Sequence, residues 1–166
     1  MTLALRNIKV HIGLSEETHA YTAVVYLDGK KAVEVSNEGR GGCDRQRSAN
    51  GHNVEEINDW CVAALPKWRG FDGEMNDTDL EVWCHEQVDR HLLLKELKRI
   101  MRSKAVFIED GKVWEIGIAG AGKYESKMGG ELRRQYPTAV ILNDLPPRDA
   151  VVLYEKAVCG CEGVTV

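Results

Sequence analysis

The fold is decided first by YTAVVYLDGKKAVEV, residues 21–35. Residues 21–27 and 31–35 are rich in β-branched and aromatic side chains, which favour strands. Asp28 and Gly29 stand between the two runs, and glycine accepts the positive φ that a two-residue hairpin turn requires. The stretch therefore predicts an antiparallel β-hairpin.

Two further patterns extend the prediction to other strands. Apolar residues alternate with polar ones over residues 8–12, which predicts a strand ahead of the hairpin. Asp110 and Gly111 separate apolar runs at 105–109 and 112–118, so the same turn chemistry predicts a second hairpin. The front of the chain is thus expected to form a three-stranded antiparallel sheet.

Helical spacing of apolar residues predicts the remaining elements. Asn53 with Glu56, and Thr78 with Glu81, have the spacing typical of helix N-termini. Helices are predicted over 53–66, 78–101, 126–136 and 146–158, with a buried strand over 138–142. The fold class that follows is α+β: an N-terminal sheet packed by helices, a second hairpin, and a C-terminal strand-helix unit.

Composition sets limits on size and class. A chain of 166 residues, 43% hydrophobic and 29% charged, fits a single globular domain over residues 1–166 that needs no disulfide or metal for stability. A formal charge of −4 argues against a general nucleic-acid-binding protein. No apolar run approaches the roughly 18 residues that span a bilayer, and the first residues lack a secretion-signal pattern. We therefore expect a cytoplasmic protein without membrane association.

One segment is similar to a nucleotide-binding loop. Residues 117–123 match the G-x-x-x-x-G-K part of the phosphate-binding pattern. Tyr124 then replaces the Ser or Thr hydroxyl that would ligate magnesium, and the preceding run reads as a hairpin arm rather than a parallel strand. The sequence does not predict a nucleotide cofactor.

Metal ligation is considered for two groups of residues. His85 and Asp89 lie one helical turn apart, but two imidazoles are the usual requirement at that spacing, and no third ligand is evident. Cys159 and Cys161 form a C-x-C pair without a spaced second pair, and the five cysteines of the chain are expected to be reduced thiols. We assign no metal, no cofactor and no catalytic residue from the sequence.

The candidate ligand-binding segment is the Gly/Arg loop, residues 37–47. Backbone N–H groups freed by glycines can form a concave site for an anion, and arginines add forked donors for phosphate or carboxylate. The alternative is a solvated loop whose glycines end a strand and turn the chain. The predicted binding residues are Asn37, Gly39, Arg40, Gly41, Gly42, Arg45 and Arg47.

Six blocks of the chain carry a resemblance: residues 15–18, 21–23, 25–30, 35–43, 94–106 and 141–154. They resemble blocks in small accessory proteins of tailed bacteriophages and prophages. Such families have no established catalytic motif, so the resemblance implies no catalytic residue. It implies action in the cytoplasm of a bacterial host, by binding a host protein or a signal, including inhibition of CRISPR or nucleotide-signalling defences.

The leading functional hypothesis is a non-enzymatic accessory binding protein. It would use the Gly/Arg loop to bind a host protein or an anionic small molecule. Two alternatives stay open: a small nucleotide-handling or metal-assisted enzyme, and a structural component of a virion. The sequence carries no repeats or coiled-coil heptads that would favour the last of these.

Overall fold

The computed structural model describes residues 1–70, 72–118 and 123–159, except for the side chain of Cys159. The chain divides into two compact units, Met1–Val88 and Asp89–Val166. Each contains helices and an antiparallel sheet, so the predicted α+β class is confirmed.

The first unit is built on a four-stranded antiparallel sheet. Its strands are β1 (Leu3–Val10), β2 (Ala20–Leu27), β3 (Lys30–Glu38) and β4 (Arg45–Ser48), in the order β1-β2-β3-β4. Asp28 and Gly29 adopt φ values of 47° and 81° and connect β2 to β3, as the two-residue turn predicts. The first predicted hairpin is therefore confirmed.

Strand β4 corrects the prediction of a three-stranded sheet. Its sequence, Arg-Gln-Arg-Ser, has no apolar alternation, and it lay inside the predicted Gly/Arg loop. Pairing of Ser36 with Arg45 and of Val33 with Ser48 adds it to the sheet edge. Backbone hydrogen bonds to β3 define such a strand, so hydrophobic patterning cannot reveal it.

Two helices belong to the first unit, one of them in part. Helix α1 (Val54–Ala64) begins at Asn53, whose Oδ1 accepts the Glu55 N–H at 3.0 Å, as the N-terminal pattern predicts. After the short strands β5 (Trp68–Arg69) and β6 (Met75–Asn76), helix α2 (Leu80–Ile100) begins, and the Leu80 N–H donates to Asn58 Oδ1.

The buried apolar side chains of the first unit come from the sheet and from these helices. Alternate residues of β2 point inward, and α1 and the first half of α2 each bury one face. The buried set includes Tyr21, Ala23, Val25, Val33, Val35, Ile57, Cys61, Leu80, Trp83, Cys84 and Val88.

The second unit contains the rest of α2 and a three-stranded sheet. Strands β7 (Lys104–Glu109), β8 (Lys112–Gly117) and β9 (Val140–Ile141) lie in the order β8-β7-β9, accompanied by α3 (Ser126–Gln135) and α4 (Pro147–Cys159). Asp110 and Gly111 again have positive φ, so the second predicted hairpin is confirmed.

Strand β7 separates two apolar clusters of the second unit. Val106 belongs to one cluster with Leu97 of α2 and Tyr154 of α4. Phe107 belongs to the other, with Leu132 of α3. Successive strand residues point to opposite faces, so one central strand serves both clusters.

The side chain of Asn143 continues the sheet where β9 ends. The predicted strand over 138–142 is only two residues long, and a 3-10 turn, Leu142–Asp144, follows it. Asn143 Oδ1 accepts the N–H of buried Val106 at 2.7 Å, and Asn143 Nδ2 donates to the Lys104 carbonyl at 3.1 Å. One amide side chain thus takes the place of a strand's backbone.

We expect Asn143→Ala to destabilise the second unit by about 1 to 3 kcal/mol, because the buried Val106 N–H loses its acceptor. Amide hydrogen exchange at Val106 measures this, and exchange should become faster. Gln135→Ala, which removes an exposed amide side chain from the end of α3, is the control and should change little. Unchanged protection of Val106 in Asn143→Ala would contradict this account of the turn.

Candidate functional site

The Gly/Arg loop is partly strand and partly a tight connection. Asn37 is the penultimate residue of β3, while Arg45 begins β4. Between them Gly39 and Gly41 have φ values of 83° and 75°, in the left-handed region that favours glycine. The glycines therefore let the chain reverse within six residues.

Asn37 points inward and organises the connection. It is 6% exposed, and its Oδ1 accepts the hydroxyl of Thr18 at 3.0 Å and the Gly39 N–H at 2.8 Å. Its Nδ2 donates to the Gly42 carbonyl at 2.9 Å and to Asp44 Oδ1 at 3.0 Å. Asn37 thus holds both ends of the glycine-rich turn.

The Gly39 backbone fits against the segment that precedes β2. Its carbonyl accepts N–H groups from Glu16, Glu17 and Thr18, at 2.9, 3.0 and 3.4 Å. A Cβ at position 39 would lie 2.5 Å from the Leu14 carbonyl oxygen. Only glycine fits this contact without displacement of backbone.

The three arginines of the Gly/Arg loop have different surroundings. Arg45 forms an ion pair with Glu38 at 2.7 Å, and Arg47 lies opposite Glu34 in the β3–β4 register. Arg40 is exposed and forms no ion pair with any residue in the described part of the chain. Of the three arginines, Arg40 is the one that also lines an open groove.

An open groove of about 350 Å³ runs beside Arg40. Its volume lies within the range of small-molecule sites. Most of its lining surface is apolar, and charged, hydroxyl and amide groups make up the rest. The lining residues are His11, Leu14, Glu16, Ala20, Tyr21, Thr22, Ser36, Asn37, Glu38 and Arg40. Of the predicted binding residues, Asn37 and Arg40 line it together.

A buried carboxylate lies next to two of the groove residues. The side chain of Asp44 is 0% exposed, and its Oδ2 accepts the hydroxyl of Tyr21. Its Oδ1 accepts from Asn37 and lies 3.1 Å from His85 Nε2. The Asp44 backbone N–H donates to Glu81 Oε1 at 3.1 Å, so α2 contributes two polar groups around this loop residue.

Burial and negative charge suppress ionisation around Asp44. The pKa of the Tyr21 hydroxyl is raised far above its usual value, first by burial and then by its hydrogen bond to Asp44, so it remains a donor at neutral pH. Burial, followed by the charge of Asp44, likewise raises the pKa of the Cys84 thiol. Burial raises the pKa of Cys61 to about 11. These two thiols are neutral at physiological pH.

Sequence reasoning missed the convergence on Asp44. The sequence pattern pairs His85 with Asp89, whereas the structure brings His85 to Asp44 and Glu81. The i, i+4 spacing of Glu81 and His85 was the available signal. The third residue lies about 40 positions away, and no local pattern connects it to the helix.

The nucleotide-loop-like segment and the C-x-C pair lie partly outside the residues that the structure describes. In the nucleotide-loop-like segment, residues 119–122 lie outside the described part of the chain, while β8 before them is antiparallel to β7, as expected of a hairpin arm. Tyr124 donates its hydroxyl to Asp144 at 2.8 Å. Cys161 and the side chain of Cys159 also lie outside the described part.

Nothing matches this chain in comparisons with protein-family models, curated proteins and solved structures. The resemblance to accessory proteins of phages and prophages therefore stays a prediction. Among the described residues, none of the helices has the length and apolar character needed to cross a bilayer.

We expect Gly39→Ala to destabilise the protein by about 2 kcal/mol or more, because it adds left-handed backbone strain to a clash with the Leu14 carbonyl. Thermal unfolding followed by circular dichroism measures the loss. Gly42→Ala is the matched control, since a Cβ there meets nothing within 4 Å. Equal stability of the two variants would refute the role assigned to Gly39.

Removal of one hydroxyl tests the network around Asp44. Tyr21→Phe should cost about 1.5 to 3 kcal/mol, because the buried carboxylate loses a donor. Tyr26→Phe, on the same strand, should cost less than about 0.5 kcal/mol. Chemical denaturation with hydrogen exchange over residues 20–48 measures both. A Tyr21→Phe protein as stable as Tyr26→Phe would contradict the network.

Proposed function

We propose that this protein is a non-enzymatic accessory binding protein of phage or prophage origin, which binds an anionic group of a host protein or small molecule. The observation that carries the proposal is the groove of about 350 Å³ beside the exposed and unpaired Arg40. A guanidinium can form two parallel hydrogen bonds with a carboxylate or phosphate.

The groove lining narrows the chemistry of the ligand. Arg40 and His11 offer positive charge or donors, whereas Glu16 and Glu38 offer acceptors. A ligand with an anionic group at the Arg40 end and hydrogen-bond donors along its length fits this distribution. Nucleotides and acidic peptide segments have both features, which agrees with a role in blocking a host factor or a nucleotide-signalling defence.

Binding would leave the floor of the groove fixed. Tyr21 and Asn37 line the groove, and both are held by Asp44 through hydrogen bonds. Groups that are already positioned lose little entropy when a ligand binds. Preorganised groove residues therefore favour binding of a ligand. Such binding requires no catalytic residue.

Variants that replace one arginine at a time test the proposal. Arg40→Ala should weaken binding by about 10-fold to 100-fold, the value of a charge-assisted hydrogen bond. Arg45→Ala and Arg47→Ala are matched controls, because neither arginine lines the groove, and they should change affinity less than about threefold.

The probes are a panel of linear and cyclic nucleotides, with inorganic phosphate as a comparison, titrated by calorimetry. Capture from bacterial lysate, with mass spectrometry of proteins and small molecules, covers protein partners. A ligand lost only in Arg40→Ala is the expected result. Equal losses in all three variants, or no ligand from either approach, would overturn the proposal.

A further inference from the structure

Helix α2 and the Gly/Arg loop bring three metal-ligating residue types together. Glu81 and His85 lie one turn apart on the same face of α2, and Asp44 reaches them from the residue before β4. One ligand atom from each of the three lies within 4.8 Å of the other two. Two carboxylates and an imidazole thus converge within the first unit.

A divalent cation would balance the two carboxylates of this cluster. Among the described residues, no lysine or arginine forms an ion pair with Asp44 or Glu81. The Asp44 side chain is 0% exposed, and a buried carboxylate requires compensation. A protonated His85 would supply one positive charge, whereas a divalent ion bound to neutral His85 would balance both carboxylates.

The hydrogen bonds around Asp44 resemble those that orient a carboxylate bound to a metal ion. Tyr21 donates to one carboxylate oxygen and Asn37 to the other, which fixes the orientation of the carboxylate. The Asp44 Oδ1 to His85 Nε2 distance is 3.1 Å. Ligand atoms of a tetrahedral ion with bonds of about 2.1 Å lie roughly 3.4 Å apart, which is close to the distance in this pair.

We propose that Asp44, Glu81 and His85 bind a divalent first-row transition-metal ion of the Zn²⁺ class. Mixed oxygen and imidazole ligands suit such an ion better than Mg²⁺ or Ca²⁺, which prefer oxygen alone. Three protein ligands leave a position for water. The His85 side chain is 37% exposed, which gives the ion a path from solvent.

This ion would have a consequence for the Gly/Arg loop. By joining Asp44 to α2, it would hold the start of β4 and, through Asn37 and Tyr21, the floor of the groove. The inference goes beyond the proposed function, because anion binding at Arg40 needs no metal. A protein that binds its anionic ligand but binds no divalent metal would leave the proposed function intact while refuting this inference.

Metal binding to the full chain tests the inference. The chelator-treated protein is titrated with ZnCl₂ by calorimetry, and bound metal is counted by elemental analysis after dialysis. One Zn²⁺ per chain is expected. His85→Gln and Glu81→Gln should each weaken Zn²⁺ binding more than about 10-fold. Mutation of residues that only hydrogen-bond to metal ligands already causes losses of about this size.

Two matched variants on the same helix serve as controls. Glu86→Gln removes a carboxylate from the next turn, and His91→Gln removes an imidazole, but neither residue belongs to the cluster. Both should keep full Zn²⁺ affinity. Equal affinity across all four variants, or no binding to the unaltered chain at 100-fold excess of metal over protein, would overturn the assignment.

Cobalt substitution provides a readout that does not depend on the stability of the variants. Co²⁺ bound by oxygen and nitrogen should show visible absorption bands without an intense sulfur-to-metal charge-transfer band in the near ultraviolet. Such a band would assign the metal to cysteines and overturn the proposal.

Discussion

The buried carboxylate of Asp44 is the constraint on which the groove-lining part of the first unit depends. A charge removed from water must be stabilised by donors, and here Tyr21 of β2, Asn37 of β3 and His85 of α2 surround it. Polar contacts thus join the β2–β3 hairpin to α2, which lies about 40 residues further along the chain. The position of the groove follows from them, since Tyr21 and Asn37 serve both the carboxylate and the groove.

Local chemistry explains which parts of the fold could be predicted from sequence. Both Asp-Gly pairs specify their turns, because a positive φ is needed there and few residues accept it. Asn53 caps α1 through a hydrogen bond to a residue two positions away. These turns and this helix cap depend only on residues close in sequence, so they can be predicted without the rest of the chain. The α+β class followed from them together with the apolar patterns.

The parts that could not be predicted depend on contacts between distant residues. Strand β4 is defined by its pairing with β3. The side chain of Asn143 replaces a strand's backbone because its Oδ1 accepts the N–H of Val106. In the candidate site, Asn37 was expected to face a ligand and instead points inward as well as lining the groove. Arg45 pairs with Glu38 and Arg40 lines the groove, a difference that no local sequence pattern reveals.

The edges of the four-stranded sheet have a consequence for self-association. An unpaired edge can recruit a strand from another copy of the chain, the first step of β-aggregation. Strand β4 is only four residues long and carries two charged arginines, while β1 at the opposite edge has a register shift between Arg6 and Lys9, with Asn7 at a φ of 56°. Short length, charge and a distorted ladder each disfavour strand addition. Arg45 and Arg47 of the Gly/Arg loop therefore also protect the sheet against intermolecular pairing.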